Sequence, residues 1–189
     1  MRNRERVLEA AKFVFSAGGR DASLEAVARQ AEVGIGTLYR HFPTREALFE
    51  AIYRREVQQL ADLAATLTAE PDPVEAMRLW MGAMVEFVAT KKGMSAALAV
   101  AGQTSSDLVA STFETLTKAV GALLDRAVAA GTVRDDIGPD DLLRTLVGMC
   151  YTHDKPGWQV NVLRLLDVFI DGLRSPPRKT GAADTGEKS

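Results

Sequence analysis

The stretch SLEAVARQAEVGIGTLYRHF, residues 23–42, holds two short amphipathic segments on either side of a tight turn. Ser23 is a good helix N-cap, and Leu24, Val27 and Ala28 follow it at helical spacing. Glu32, Val33 and Gly34 form the turn, after which the pattern predicts a second helix from about Ile35 to His41. Ala28 is small where the two helices must cross closely. Val33 and Leu38 are apolar and pack the second helix onto the first, and Phe42 continues that core. This spacing is that of a helix-turn-helix, whose second helix enters the DNA major groove.

The outer surface of the second helix carries matching chemistry. Thr37, Tyr39, Arg40 and His41 place hydroxyl, phenol, guanidinium and imidazole groups within little more than one turn. Thr37 suits a thymine methyl or a phosphate, and Arg40 suits a guanine edge or the backbone. Gly34 and Gly36 let the main chain approach DNA closely. Pro43 stops the helix, and Thr44 with Arg45 opens the next one, where free N–H groups favour a phosphate. The expected contact set is Ser23, Gly34, Ile35, Gly36, Thr37, Tyr39, Arg40, His41, Thr44 and Arg45. A solvated helix face is the plain alternative for these side chains, and the motif around them favours DNA. Arg2, Arg4 and Arg6 read either as a minor-groove arm or as a frayed, solvated terminus, and the second reading is preferred.

Outward from the motif, almost every segment reads as helix. Val7, Leu8, Ala11, Val14 and Phe15 form a stripe that Gly18 and Gly19 end. A long helix follows over Arg45–Leu67. Glu70, Pro71, Asp72 and Pro73 break the chain before a helix carrying Met77, Trp80, Met81, Met84, Phe87 and Val88, which Gly93 is expected to interrupt. A short apolar piece over 96–101 precedes a long helix through Val109, Phe113, Leu116 and Leu123. Two more helices open at Pro139 and Trp158. No strand pattern or repeat is visible. The reading is an all-α fold of about nine helices: a three-helix N-terminal bundle over 1–45, a helical body over 46–174, and a polar, disordered tail over 175–189.

Composition limits the function classes. The formal net charge is −2, but residues 1–55 carry ten basic and seven acidic side chains, a local +3 that leaves −5 for the rest. A basic head on an acidic body fits DNA contact at one end. Cys150 stands alone, so no intrachain disulfide forms. No signal peptide and no apolar run of about 20 residues is found, so a cytoplasmic protein without membrane contact is expected. The two histidines, His41 and His153, build no catalytic triad, and there is neither a phosphate-binding glycine loop nor a metal cluster. Cys150 and His153 are too few ligands for a closed zinc site. No enzyme activity, metal or cofactor is expected.

The run AEVGIGTLYRHFPTREALFEAI, residues 31–52, resembles the signature of the TetR family of bacterial regulators. That family often has serine where this chain has Gly34 and lysine where it has Arg45. The stretches AGTVRDD at 130–136 and DGLR at 171–174 resemble the SbtR-like C-terminal subgroup.

The resemblance implies a one-component regulator, most often a repressor, that binds a pseudo-palindromic operator in double-stranded DNA as a homodimer. Two recognition helices then meet successive major grooves about 34–36 Å apart. A small apolar effector in the C-terminal domain shifts the Arg45–Leu67 helix and releases the DNA. Candidate pocket residues are Trp80, Met84, Phe87, Phe113, Leu116 and Met149, with Gln103 or His153 as a polar anchor. The family's dimer is a four-helix bundle of the last two helices, and Leu143, Leu146, Val147, Val162, Leu165, Leu166, Phe169 and Ile170 make those helices apolar beyond one stripe. A central buried helix is the other reading of that breadth. The alternatives are a transcriptional activator and a helical interaction protein without a ligand.

Overall fold

A computed structural model of the chain describes residues 2–17, 23–98, 106–152, 155 and 157–174. Eight helices follow one another: α1 (Arg2–Ala17), α2 (Leu24–Gln30), α3 (Ile35–His41), α4 (Arg45–Leu67), α5 (Pro73–Leu98), α6 (Ser106–Ala129), α7 (Pro139–Tyr151) and α8 (Trp158–Leu173). The all-α expectation holds, with eight helices among the described residues where about nine were expected. Gly93 does not interrupt α5, which runs on to Leu98 and absorbs the start of the short piece expected over 96–101. A glycine inside a helix costs about 1 kcal/mol. Burial of Met94 in the following position, within a helix already anchored by Met77, Trp80, Met81, Met84 and Val85, outweighs that cost. The remainder of 99–105, Gly18, Gly19 and the expected tail lie outside the described residues.

The helix ends explain why the N-terminal elements stop where they do. The Ser23 hydroxyl accepts from the Ala26 N–H at 3.1 Å, and the Thr44 hydroxyl accepts from the Ala47 N–H at 3.1 Å. Between α2 and α3 the Glu32 N–H donates to the Arg29 carbonyl and the Val33 N–H to the Ala28 carbonyl, at 3.1 and 3.0 Å. That pair of bonds is a Schellman termination, and it puts Glu32 at φ +52°, in the left-handed region. Its carboxylate is held by the Arg6 guanidinium at 2.7 Å.

Helices α1, α2 and α3 close around Val7, Leu8, Ala11, Phe15, Val27, Leu38 and Phe42. Helix α4 joins this head to the body and packs on α1, α5 and α6. Lys12 of α1 pairs at 2.5 Å with Glu56 of α4, whose carboxylate is buried, and Arg55 bonds both Glu9 and Glu5. At the far end of α4, the Arg126 guanidinium donates to the carbonyls of Leu67, Glu70 and Pro71 and so ties α6 to the connection between α4 and α5. Helix α5 is the hub of the body, packed against α1, α4, α6, α7 and α8. Among the described residues no helix is long and apolar enough to cross a membrane.

Candidate nucleic-acid interface and internal cavity

Leu38 is fully buried and fixes the rotation of α3 on the head. The rest of α3 is turned to solvent: Ile35 is 40% exposed, Tyr39 43%, and Arg40 and His41 are exposed. Thr37 is half-buried. Gly34 caps α3 without a side-chain bond, and a Cβ at Gly34 or Gly36 would meet nothing within 4 Å. Both glycines therefore leave open space on the outer surface. Thr44 and Arg45 are exposed at the start of α4, directly after the recognition segment. Among the described residues neither Arg40 nor Arg45 forms an ion pair, although the Arg45 charge reaches Glu25. The Glu25 carboxyl is held below its ordinary pKa first by its own backbone N–H, then by the Ser23 hydroxyl and by Arg45. Ser23 itself is occupied in capping α2.

The N-terminal arginines differ from expectation. Arg4 and Arg6 are not frayed: they sit on α1, Arg4 lying 5.6 Å from the Phe42 ring centroid and Arg6 bonded to Glu32. Packing of α1 against α2 and α3 orders them.

A second feature lies in the body. A cavity of about 450 Å³ opens between α4, α5, α6 and α7. Its wall includes four of the expected residues, Met84, Phe87, Phe113 and Leu116. Trp80 is not among them. Its indole N–H donates to the Leu60 carbonyl at 2.8 Å, and the ring is wholly buried in the core between α4 and α5. Met149 packs on the core outside the cavity wall. Gln103 and His153 lie outside the described residues. The wall also carries Tyr53, Lys91, Thr112, Arg144 and Tyr151, none of which the sequence reading placed there. Lys91 was legible in principle, because it extends the stripe Met84–Val88 by one more turn.

Tyr53 and Phe87 meet in the wall with ring centroids 5.4 Å apart, and Lys91 stands 5.3 Å from the Tyr53 ring centroid. Burial raises the pKa of the Tyr53 and Tyr151 phenols and lowers that of the Lys91 ammonium. Arg144 lies over the Phe113 ring at 4.6 Å and pairs with Asp140 at 2.6 Å. Cys150 is buried nearby, and burial pushes its thiol up to about 11. Among the described residues no cluster of three metal-ligating side chains occurs.

The apolar breadth of α7 and α8 is explained mainly by the protomer's own core. Leu143, Leu146, Val162, Leu166 and Ile170 are buried within the single chain, and Val147 and Leu143 face the cavity. This corrects the inference drawn from breadth, because a stripe can widen when a helix packs on two neighbours. Of the eight, Leu165 is 47% exposed and Phe169 half-buried; Val168, 70% exposed, joins them on α8.

Comparison with known proteins agrees with this architecture. The model for bacterial regulatory proteins of the tetR family matches residues 7–52, and that for the transcriptional regulator SbtR-like C-terminal domain matches residues 72–175. The HTH-type transcriptional repressor KstR of Mycobacterium tuberculosis is 27% identical over 135 residues, covering 70% of this chain; the chain thus spans 61% of that protein's length. A TetR transcriptional regulator from Streptomyces coelicolor has a similar structure, with a TM-score of 0.79, 44% identity, and coverage of 90% of this chain and 98% of that one. A TetR transcription regulatory protein from Mycobacterium vanbaalenii follows with a TM-score of 0.71, 36% identity, and coverage of 92% and 96%. A chain whose described residues form helices joined by turns, with this head, this turn and this body, is a member of the TetR family of bacterial transcriptional regulators, and its C-terminal domain is of the SbtR-like type.

Proposed function

We propose that the protein is a repressor that binds a pseudo-palindromic operator as a homodimer and is released by a small molecule held in the cavity of the body. The observation that carries this reading is the position of α4. Its first turn presents Thr44 and Arg45 beside the recognition helix, and its third turn contributes Tyr53 to the cavity wall. Eight residues of helix separate Arg45 from Tyr53, about 12 Å of axis. A ligand pressing on Tyr53 therefore acts on the same rigid element that sets the direction of the DNA-contacting end.

Ile35, Thr37, Tyr39, Arg40 and His41 read bases or backbone in the major groove, and Thr44 with Arg45 holds a phosphate. Gly36 permits close approach. Ser23 contributes by fixing the start of α2. Dimerisation uses the outer face of α8, where Asn161, Leu165, Val168 and Gly172 share one side of the helix and all are exposed in the single chain. A homologous repressor, KstR, supports repression over activation.

Footprinting on the DNA flanking the protein's own gene tests the reading. The expected result is protection of two half-sites one helical turn or a multiple apart, with reporter expression rising when the gene is deleted. Leu165→Asp with Val168→Asp should give a monomer that no longer protects both half-sites. A reporter that falls on deletion would instead indicate an activator.

A further inference from the structure

Lys91 is a half-buried cation on the cavity wall without a carboxylate to balance it. It projects from α5 one turn beyond Val88, on the stripe that Met84 begins. No aspartate or glutamate belongs to the wall, and among the described residues no acid lies within ion-pairing distance of its ammonium. Lys12 and Lys118, by contrast, are paired with Glu56 and Glu114 at 2.5 and 2.6 Å. The Lys91 ammonium stands over the Tyr53 ring, a neutral neighbour that attracts a cation without balancing its charge. Its lowered pKa has burial as its only cause, with no opposing charge. A cation held partly out of water costs free energy that a bound anion recovers.

The other polar groups of the wall cluster on the same side. The Tyr53 phenol, beside Lys91, neighbours the Thr112 hydroxyl and the Tyr151 phenol. Arg144 does not compete for the anchoring role, because Asp140 already holds it. The rest of the wall, including Met84, Phe87, Leu116 and Leu143, supplies apolar surface.

We propose that the cavity takes an amphiphilic organic acid, its carboxylate paired with Lys91 and its apolar body lying among Met84, Phe87 and Leu116. A volume of about 450 Å³ admits about 15 non-hydrogen atoms at roughly 30 Å³ each, which suits a carboxylic acid of about ten carbons. The assignment rests on the reading of this cavity as the effector site and adds the chemical class of its occupant.

Isothermal titration of the full chain with decanoate and with decan-1-ol, below micellar concentration at pH 7, tests it. Decanoate should bind about tenfold more tightly than the alcohol, the scale of one charge-assisted pair. Lys91→Met should bring decanoate down to the affinity of the alcohol and leave the alcohol unchanged. Lys91→Arg, which keeps the charge and shows by circular dichroism that the position tolerates change, should retain the preference. Equal affinity of the two compounds for the wild type, persistence of the preference in Lys91→Met, or binding of neither compound would overturn the proposal. Operator affinity measured in the same samples separates it from the effector reading. Decanoate bound through Lys91 with unchanged operator affinity upholds the anion site and removes its regulatory role. Operator release by the alcohol as effective as by the acid preserves the regulatory role and overturns the anion preference.

Discussion

Phe49 and Tyr53 stack along one face of α4, with ring centroids 5.8 Å apart and planes 11° apart. Both are buried, and Tyr53 meets Phe87 across the interface with α5. The rings run from beneath the N-terminal head to the wall of the cavity, so a displacement at Tyr53 has a stiff path toward Arg45. Tyr53→Ala removes the middle ring and should cost about 3–5 kcal/mol by urea denaturation. Tyr53→Phe keeps the stack and should cost about 1 kcal/mol, since only the hydroxyl beside Thr112 is lost. Equal losses in the two variants would show that the stack carries no stability.

The turn before the recognition helix depends on a residue that accepts a left-handed backbone. Glu32 at φ +52° does so at some cost, and its exposed bond to Arg6 returns little. Asparagine tolerates this conformation and a β-branched residue does not. Glu32→Asn should stay within about 0.5 kcal/mol of the wild type, while Glu32→Val should fall about 1–2 kcal/mol below it in thermal denaturation.

Gly34 gives α3 no side-chain cap, and the space around it is empty. Gly34→Ser should add a hydroxyl acceptor for a first-turn N–H and stabilise the protein by a few tenths of a kcal/mol. The same hydroxyl faces outward and should raise operator affinity in a gel-shift titration. A stabilised variant with weaker DNA binding would mean that the bare glycine is needed for close approach.

Cys150 should behave as an inert thiol. Burial holds its pKa at about 11, so at pH 8 the native protein contains almost no thiolate there. Iodoacetamide should label it slowly in the folded protein and rapidly in urea. Below the ordinary thiol pKa both states are protonated and the difference is fully retained. Between the ordinary value and about 11 the unfolded chain ionises while the folded one does not, so this contribution to stability is lost as pH rises. Cys150→Ala should remove that part of the alkaline decline.

The helix-turn-helix was legible because its signals are local. Ser23, Gly34, Pro43 and Thr44 mark helix ends through short-range geometry, and α3 and α4 begin and end at the expected residues. The cavity and the proposed dimer face were less legible because they depend on which helix packs on which. Leu143 and Val162 look like interface residues in a helical wheel, yet they meet other helices of the same chain. Lys91 looks like a solvated charge until α4 is placed opposite it. Gly93 looked like a helix end because its intrinsic cost is local, whereas the packing that overrides it is not.

The outer face of α3 is the surface proposed to bind operator DNA. Fluorescence anisotropy with labelled DNA from the region upstream of the gene, at several salt concentrations, measures this most directly. The wild type should bind specifically, and affinity should fall steeply with salt. Arg40→Ala and Tyr39→Ala should each lose about tenfold or more in specific affinity while sedimenting as the wild type does, in keeping with about 1–3 kcal/mol for a direct contact. Unchanged operator affinity in both variants would contradict the assignment of α3 as the recognition helix.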